Sequence, residues 1–513
     1  MNAHAGRTTS VWMATATVPQ FSRLSADTRA DVCIVGAGIA GLSTAYLLAR
    51  AGRSVVVLDD GPILSGETER TTAHLANALD DRFTELERLH GPQGARLAAE
   101  SHGVAIDTIE RLVSELGIDC DFARVDGYLF NGPQAEPELL DRELAAAQRA
   151  GLTAATWVER VPLASFNTGR ALRFPRQGQI HPLKYLAALA TEIVRAGGRI
   201  HAGTHVTEVR GGRDAHVVTA GGNTVACGAV VVATNTPVND RVVIHTKQAA
   251  YRTYAIGAAL PAGAVPPALY WDTEDPYHYV RVQPRGGAGA GELLLVGGED
   301  HKTGQADDPA ARLARLEAWM RSRFPAAGAI EFRWSGQVLE PVDGLAFIGR
   351  NPLDAENVYV ATGDSGHGMT HGTIAGLLLT DLIIGRANPW EELYDPARVT
   401  PGAVRRFAAE NANAAAQYVD WLTAGEAEKS ALVPPGAGAI VRYGLKKVAV
   451  YRDPAGALHE CSAVCPHLGG LVRWNDAEGT WDCPAHGSRF DCRGSVLNGP
   501  ANTALAPVAA DGR

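Results

Sequence analysis

Residues 31–60 leave the chain little conformational choice. A short apolar run, Asp-Val-Cys-Ile-Val at 31–35, passes into Gly36-Ala37-Gly38-Ile39-Ala40-Gly41. A stretch of helical periodicity follows at 42–50 and is stopped by Gly52, and a second apolar run at 55–58 is closed by Asp59 and Asp60. The order is strand, Gly-x-Gly-x-x-Gly, helix, strand, acid, which is the opening unit of a doubly wound α/β sheet that holds a dinucleotide. Gly36 permits the tight turn, Gly38 lets the backbone approach a pyrophosphate, and Gly41 lets helix and strand pack closely. The helix N-terminus offers unpaired N–H groups to the phosphate, and Asp59 can accept from a ribose hydroxyl. A Gly-rich turn in some other α/β unit would leave that acid unexplained.

The fingerprint alone does not separate FAD from NAD. A second strand-to-helix turn does bear on it. Residues 357–361 form another apolar run, leading to Gly363-Asp364-Ser365-Gly366-His367-Gly368-Met369-Thr370 and a helix from about 373 to 384. A second helix N-terminus late in the chain suits FAD, which reaches across a domain. No separate dinucleotide module is expected: Gly286–Gly291 precedes its strand, and Gly436-Ala437-Gly438 follows Pro434-Pro435.

These features, with Gly66–Thr72, Val206, Val231–Asn235, Trp334–Gly336, Asp343-Gly344 and Gly349-Arg350, make residues 28–390 resemble the D-amino-acid-oxidase-like (glycine/sarcosine oxidase-like) FAD-dependent oxidoreductases. The resemblance implies FAD contacts at Gly36, Ala37, Gly38, Ile39, Ala40, Gly41, Asp59, Asp60, Thr68, Arg70, Thr71, Thr72, Val206, Gly363, Asp364, Gly368, Met369 and Thr370. Arg70 stands where certain relatives attach FAD through histidine, so non-covalent FAD is expected, with His74 the nearby alternative. The resemblance also implies oxidation of an amine or amino acid at a C–N bond. The substrate-side candidates lie in 277–281 and 298–302: Arg281 as a carboxylate clamp, and His301 or Lys302 as charge near the flavin. His367, with His371, lies beside the last FAD loop. Each of these has an ordinary packing or surface role as its alternative.

The C-terminal stretch has a different character. Polar residues 424–429 and Pro434-Pro435-Gly436 break regular structure, and short alternating strands follow. Within them sit Cys465-Pro466-His467 and, after fifteen residues, Cys483-Pro484-Ala485-His486. Two thiolates and two imidazoles suit zinc or a [2Fe–2S] cluster. Zinc fingers usually pair like with like, whereas each box here mixes one cysteine with one histidine. With Leu468-Gly469-Gly470, Gly487–Asp491 and Gly499-Pro500-Ala501, the stretch resembles a Rieske domain. That implies Cys465 and Cys483 on one iron and His467 and His486 on the other. Gly470 and Ala485 stand where high-potential members carry a cysteine pair, which implies a cluster nearer the low end of the roughly −150 to +300 mV range. Cys461 and Cys492 are expected to be unpaired thiols.

The expected fold is an α/β FAD-binding Rossmann-like domain with an inserted α+β substrate domain, followed by a small all-β Rieske domain. The flavoprotein part is 1–425, with FAD-binding stretches near 28–80, 180–240 and 335–390. A linker occupies 426–436 and the Rieske domain 437–513. The 513 residues carry a net charge of −9 and no Lys/Arg run, which excludes a phosphate-backbone partner. No apolar stretch approaches the ~18 residues of a membrane span. The N-terminus shows no signal-peptide pattern and seven cysteines are too few for a disulfide scaffold, so the expected location is cytoplasmic. The expected partners are a small-molecule substrate and an external one-electron acceptor or donor. Two other functions fit the same residues: an oxygen-using flavin oxidase with a structural or redox-sensing cluster, and an electron-transfer reductase component with no organic substrate.

Overall fold

The computed structural model describes residues 5–239, 243–286 and 291–508. Most of the Gly-rich run at 286–291 therefore lies outside the described residues, as do the last five positions of the C-terminal domain.

The dinucleotide unit builds a six-stranded sheet in the order Phe347–Arg350, Val358–Thr362, Ala229–Val232, Val32–Val35, Val55–Leu58, Arg199–His201. All neighbours are parallel except the first pair. The strands of 32–35, 55–58 and 229–232 are apolar throughout because both faces are covered. Helices Ile39–Arg50, Pro182–Arg195 and Gly368–Ile384 contribute to the core on one side. A small sheet (Thr28–Arg29, Thr224–Ala226, His216–Thr219, Val206–Arg210) covers the other. Helices 39–50 and 368–384 cross closely: a Cβ on Gly372 would lie 2.7 Å from Ile39, and one on Gly376 2.9 Å from Ser43. This brings both helix N-termini to one cavity.

The inserted part is a mixed sheet running Ile330–Pro341, Gln248–Leu260, Glu292–Lys302, His278–Pro284, Leu269–Asp272, Ala123–Phe130, Ala171–Gln179, His74–Leu75. Residues 438–498 form two small antiparallel sheets, Gly438–Tyr443 with Lys446–Arg452 and Leu458–Ser462, and Arg473–Asn475 with Thr480–Asp482, Arg489–Asp491 and Val496–Asn498.

Two segments pack in ways that no local motif announces. Residues 426–436 are not a free tether: Glu426 N–H donates to Ile440 O, Ala427 bridges Val441, and Val433 is buried with Val441, Val448 and Val450. Its apolar residues have a sheet to cover, which local polarity does not reveal. The N-terminal residues, which carry no motif, form a strap. Trp12 is fully buried on helix Val11–Thr15 and its Nε1 donates to Thr71 O at 2.5 Å, while Thr8 reaches the C-terminal domain. Among the described residues no helix is long and apolar enough to cross a membrane.

Candidate functional site

A cavity of about 300 Å³ runs from the first Gly-rich turn, past residues 65–72, to the mixed sheet. At its nucleotide end Gly36 has φ +102°, and a Cβ there would lie 2.3 Å from Ala233 O. Gly38 is the residue before the helix and Thr68 Oγ1 accepts from Ile39 N–H (3.2 Å). Asp59 accepts from Ala37 N–H (2.7 Å) and Gly61 N–H (3.0 Å), and burial with neighbouring Asp60 pushes its carboxyl up to about 7. Asn235, at φ +62°, lines the cavity with a buried Nδ2 that has no protein partner. A cradle that a side chain would fill, a half-buried helix N-terminus in the cavity wall and an unpartnered donor together fit the phosphates and sugar of FAD.

Of the expected FAD contacts, Gly36, Gly38, Ile39, Ala40, Asp59, Asp60, Thr68, Arg70, Thr71, Thr72, Val206, Gly363, Asp364, Gly368 and Met369 line this cavity. Ala37, Gly41 and Thr370 do not: Ala37 serves Asp59, Gly41 packs on Gly36 O, and Thr370 Oγ1 meets His102 Nδ1 at 2.8 Å. The Arg70 guanidinium also turns away, to Glu478 at 3.2 Å in the C-terminal domain. Val206 O accepts from Asn502 Nδ2 (3.1 Å), so the C-terminal domain closes the nucleotide end through Val496–Asn502.

The far end of the cavity carries Asp80, Tyr277, Tyr279, Asp300 and His367, with Leu269 and Trp271 as apolar wall. Tyr277 donates to Asp80 (3.1 Å), and His367 Nε2 accepts from Asp80 N–H (3.0 Å). Three of the four expected catalytic residues are placed elsewhere. Arg281 is fully buried beneath the cavity and donates to Thr72 O, Ala73 O and Ile180 O, which leaves it unsuited to a carboxylate clamp. His301 meets Tyr254 (3.1 Å), and Lys302 pairs with Glu410 at 2.5 Å. Alternation turns His301 away from the cavity that its neighbour Asp300 faces, whereas Lys302 is taken by Glu410 and Arg281 by main-chain carbonyls. Sequence reading missed Asp80, because it sits in an aperiodic loop. It also missed Gln337 and Asn498, because nothing local marks them.

The four C-terminal ligands come together as two pairs. The buried thiols of Cys465 and Cys483 contact each other, and the half-buried imidazoles of His467 and His486 lie 5.0 Å apart between ring centroids at 90°. A hydrogen bond to Cys483 is the largest influence on Cys465 and lowers its thiol to about 7. Among the described residues, the only three or more such ligand atoms all within 4.8 Å of one another belong to Asp272, Glu274 and His278. A thiol pair beside an imidazole pair suits the two irons of a cluster, one holding both sulfurs and the other both nitrogens. Gly470 and Ala485 face each other, with 3.2 Å between the would-be Cβ and the Ala485 Cβ. All seven cysteines, Cys461 and Cys492 included, are free.

The imidazole end of this site is docked on the flavoprotein part. His467 meets His245 edge to face (5.0 Å), and a Cβ on Gly487 would touch Ala250. Gln337 lines the cavity and donates from Nε2 to Gly487 O at 3.0 Å, one residue from His486. Glu67 accepts from Gln337 N–H (2.6 Å) and from Asn498 Nδ2 (3.1 Å).

The sequence profile of the family described as FAD dependent oxidoreductase matches residues 31–382, and that of the Rieske [2Fe-2S] domain matches 423–509. A Bacillus subtilis (strain 168) protein provisionally named Rieske 2Fe-2S iron-sulfur protein YhfW is 32% identical over 507 residues, 98% of this chain and 97% of that one. Gamma-glutamylputrescine oxidoreductase of Escherichia coli (strain K12) is 29% identical over 389 residues, 72% of this chain and 87% of that one. The fold of glycine oxidase from Geobacillus kaustophilus superposes with TM-score 0.61 at 22% identity, over 72% of this chain and 99% of that one.

Proposed function

Given that the chain belongs to the FAD dependent oxidoreductase family and bears a Rieske [2Fe-2S] domain, we propose that it oxidises a small amine or amino acid at a C–N bond and delivers the electrons, through its own cluster, to an external one-electron acceptor. The observation that carries this is Gln337. One residue forms cavity wall and hydrogen-bonds the backbone beside a cluster ligand. When bound, FAD supplies a two-electron acceptor and the cluster a one-electron one. The similarity to gamma-glutamylputrescine oxidoreductase supports an amine or amino-acid donor.

The chain's own residues would do the rest. Gly36–Ala40, Asp59, Thr68 and Asn235 would hold the cofactor, and the N-terminus of helix 368–384 would present its positive end to the flavin. Asp80, Tyr277, Tyr279 and Asp300 would orient the substrate, with Leu269 and Trp271 excluding water. Cys465, His467, Cys483 and His486 would hold the cluster. Anaerobic mixing of the holoenzyme with amines, followed by absorbance and low-temperature EPR, tests this reading. Flavin bleaching followed by a rhombic His-ligated [2Fe–2S] signal supports it. Bleaching with the cluster left oxidised, and fast reoxidation by oxygen, would instead support a flavin oxidase with a structural cluster.

A further inference from the structure

We infer that the far end of the cavity selects a substrate that enters as an ammonium cation and bears no carboxylate beside the carbon to be oxidised, its charge held between Asp80 and Asp300. The inference rests on the amine-or-amino-acid reading and narrows it.

Asp300 is aimed by a deliberate irregularity. Strand 292–302 pairs Arg252 with His301 and Tyr254 with Gly298, so Glu299 and Asp300 together oppose Thr253. Glu299 sits in this bulge at φ +61°. Such bulges re-aim a side chain, and strain of this kind persists where the surroundings enforce it. Here it turns Asp300 into the cavity wall. Its Oδ1 is shielded from solvent and has no protein partner, an acceptor that a ligand donor would satisfy.

The surroundings suit a cation. Tyr277 and Tyr279, 5.5 Å apart, bring two aromatic rings to the same end. No lysine or arginine side chain there is free to hold an anion. Among the described lining residues there is no lysine, and the one arginine, Arg70, is spent on Glu478. Arg281 is buried behind main-chain carbonyls. Burial holds His74 and His371 neutral, at about 3, and His367 Nε2 accepts from Asp80 N–H. A substrate carboxylate would therefore sit beside two acids with no compensating charge, a costly arrangement in a desolvated site. Burial raises Asp300 to about 7, with Thr253 the next influence, then Asp80, Arg312 and His278.

The probes are tert-butylamine and 2-methylalanine. Neither has a hydrogen on the reacting carbon, and they differ only in methyl against carboxylate. Binding to the FAD-loaded protein is read from the shift of the flavin spectrum, with n-pentylamine and norleucine as the oxidisable pair. The expected result is that tert-butylamine binds at least about tenfold tighter than 2-methylalanine, and that Asp300→Asn and Asp80→Asn each weaken tert-butylamine about tenfold. Equal or tighter binding of 2-methylalanine, unchanged affinity in both variants, or no binding of either probe would overturn the inference. Tight tert-butylamine binding with no bleaching by n-pentylamine would support the cation site and refute amine oxidation itself.

Discussion

Replacing Glu478 by Gln should loosen the C-terminal domain from the flavoprotein part. Glu478 is 1% exposed, and its carboxylate accepts from Thr8 Oγ1 (2.6 Å), Thr8 N–H (3.2 Å), Arg70 (3.2 Å) and Ser335. Burial by itself would raise its pKa; Arg70, then Arg252 and Arg489, outweigh that and hold it at about 2 rather than 4.5. At roughly 1.4 kcal/mol per tenfold, the ionised form is favoured by about 3 kcal/mol. That agrees with the cost of breaking a buried pair, about 3–5 kcal/mol, because Arg70 would be left uncompensated. The depressed value fixes the sign. This stabilisation is fully present above pH 4.5 and is lost as pH falls through about 2. The assay is urea titration of wild type and Glu478→Gln, following flavin release. Near pH 7 the variant should lose about 3 kcal/mol, and the gap should shrink toward pH 2. A loss under about 1 kcal/mol, or a gap independent of pH, would refute the assignment of Glu478 as the charged anchor.

Gly36→Ala should yield folded protein that has lost its flavin on gel filtration, because φ +102° and the Ala233 carbonyl at 2.3 Å forbid the methyl; retained flavin would count against the cradle. Gln337→Leu should leave flavin bleaching by substrate intact and slow cluster reduction about tenfold, the equivalent of one lost hydrogen bond of about 1.4 kcal/mol. Stopped-flow absorbance at flavin and cluster wavelengths separates the two rates. Cys483→Ser should remove iron and acid-labile sulfide while sparing FAD; one zinc per wild-type chain and no sulfide would refute the cluster assignment. Cysteines placed at both 470 and 485 should join under mild oxidation, read by intact mass, since their Cβ positions lie 3.2 Å apart.

Much of the cofactor chemistry is readable locally. The glycines at 36, 38 and 41, the two helix-starting turns and the Cys-x-His and Cys-x-x-His boxes each complete their function within a few residues, so short-range spacing suffices to find them. Their arrival at one cavity or one cluster site follows from strand order, which the parallel β-α-β pattern constrains. Substrate-side residues are different. Arg281 and Lys302 have the right chemistry, yet main-chain carbonyls claim the first and Glu410 claims the second. Asp300 earns its place through a two-residue bulge opposite Thr253, which no local pattern announces.

The sequence by itself therefore determined the cofactors and the order of the domains, because a dinucleotide turn and a mixed Cys/His box are written in contiguous residues. Only the tertiary structure decided how the halves meet. It set the Glu478 anchor on Arg70, the closure of the nucleotide end by Asn502, and Gln337 beside the ligand loop. It also decided that the pocket is acidic. Each of these joins residues far apart in the chain, and a contact between distant residues is fixed by the packing of whole sheets rather than by either residue's neighbours.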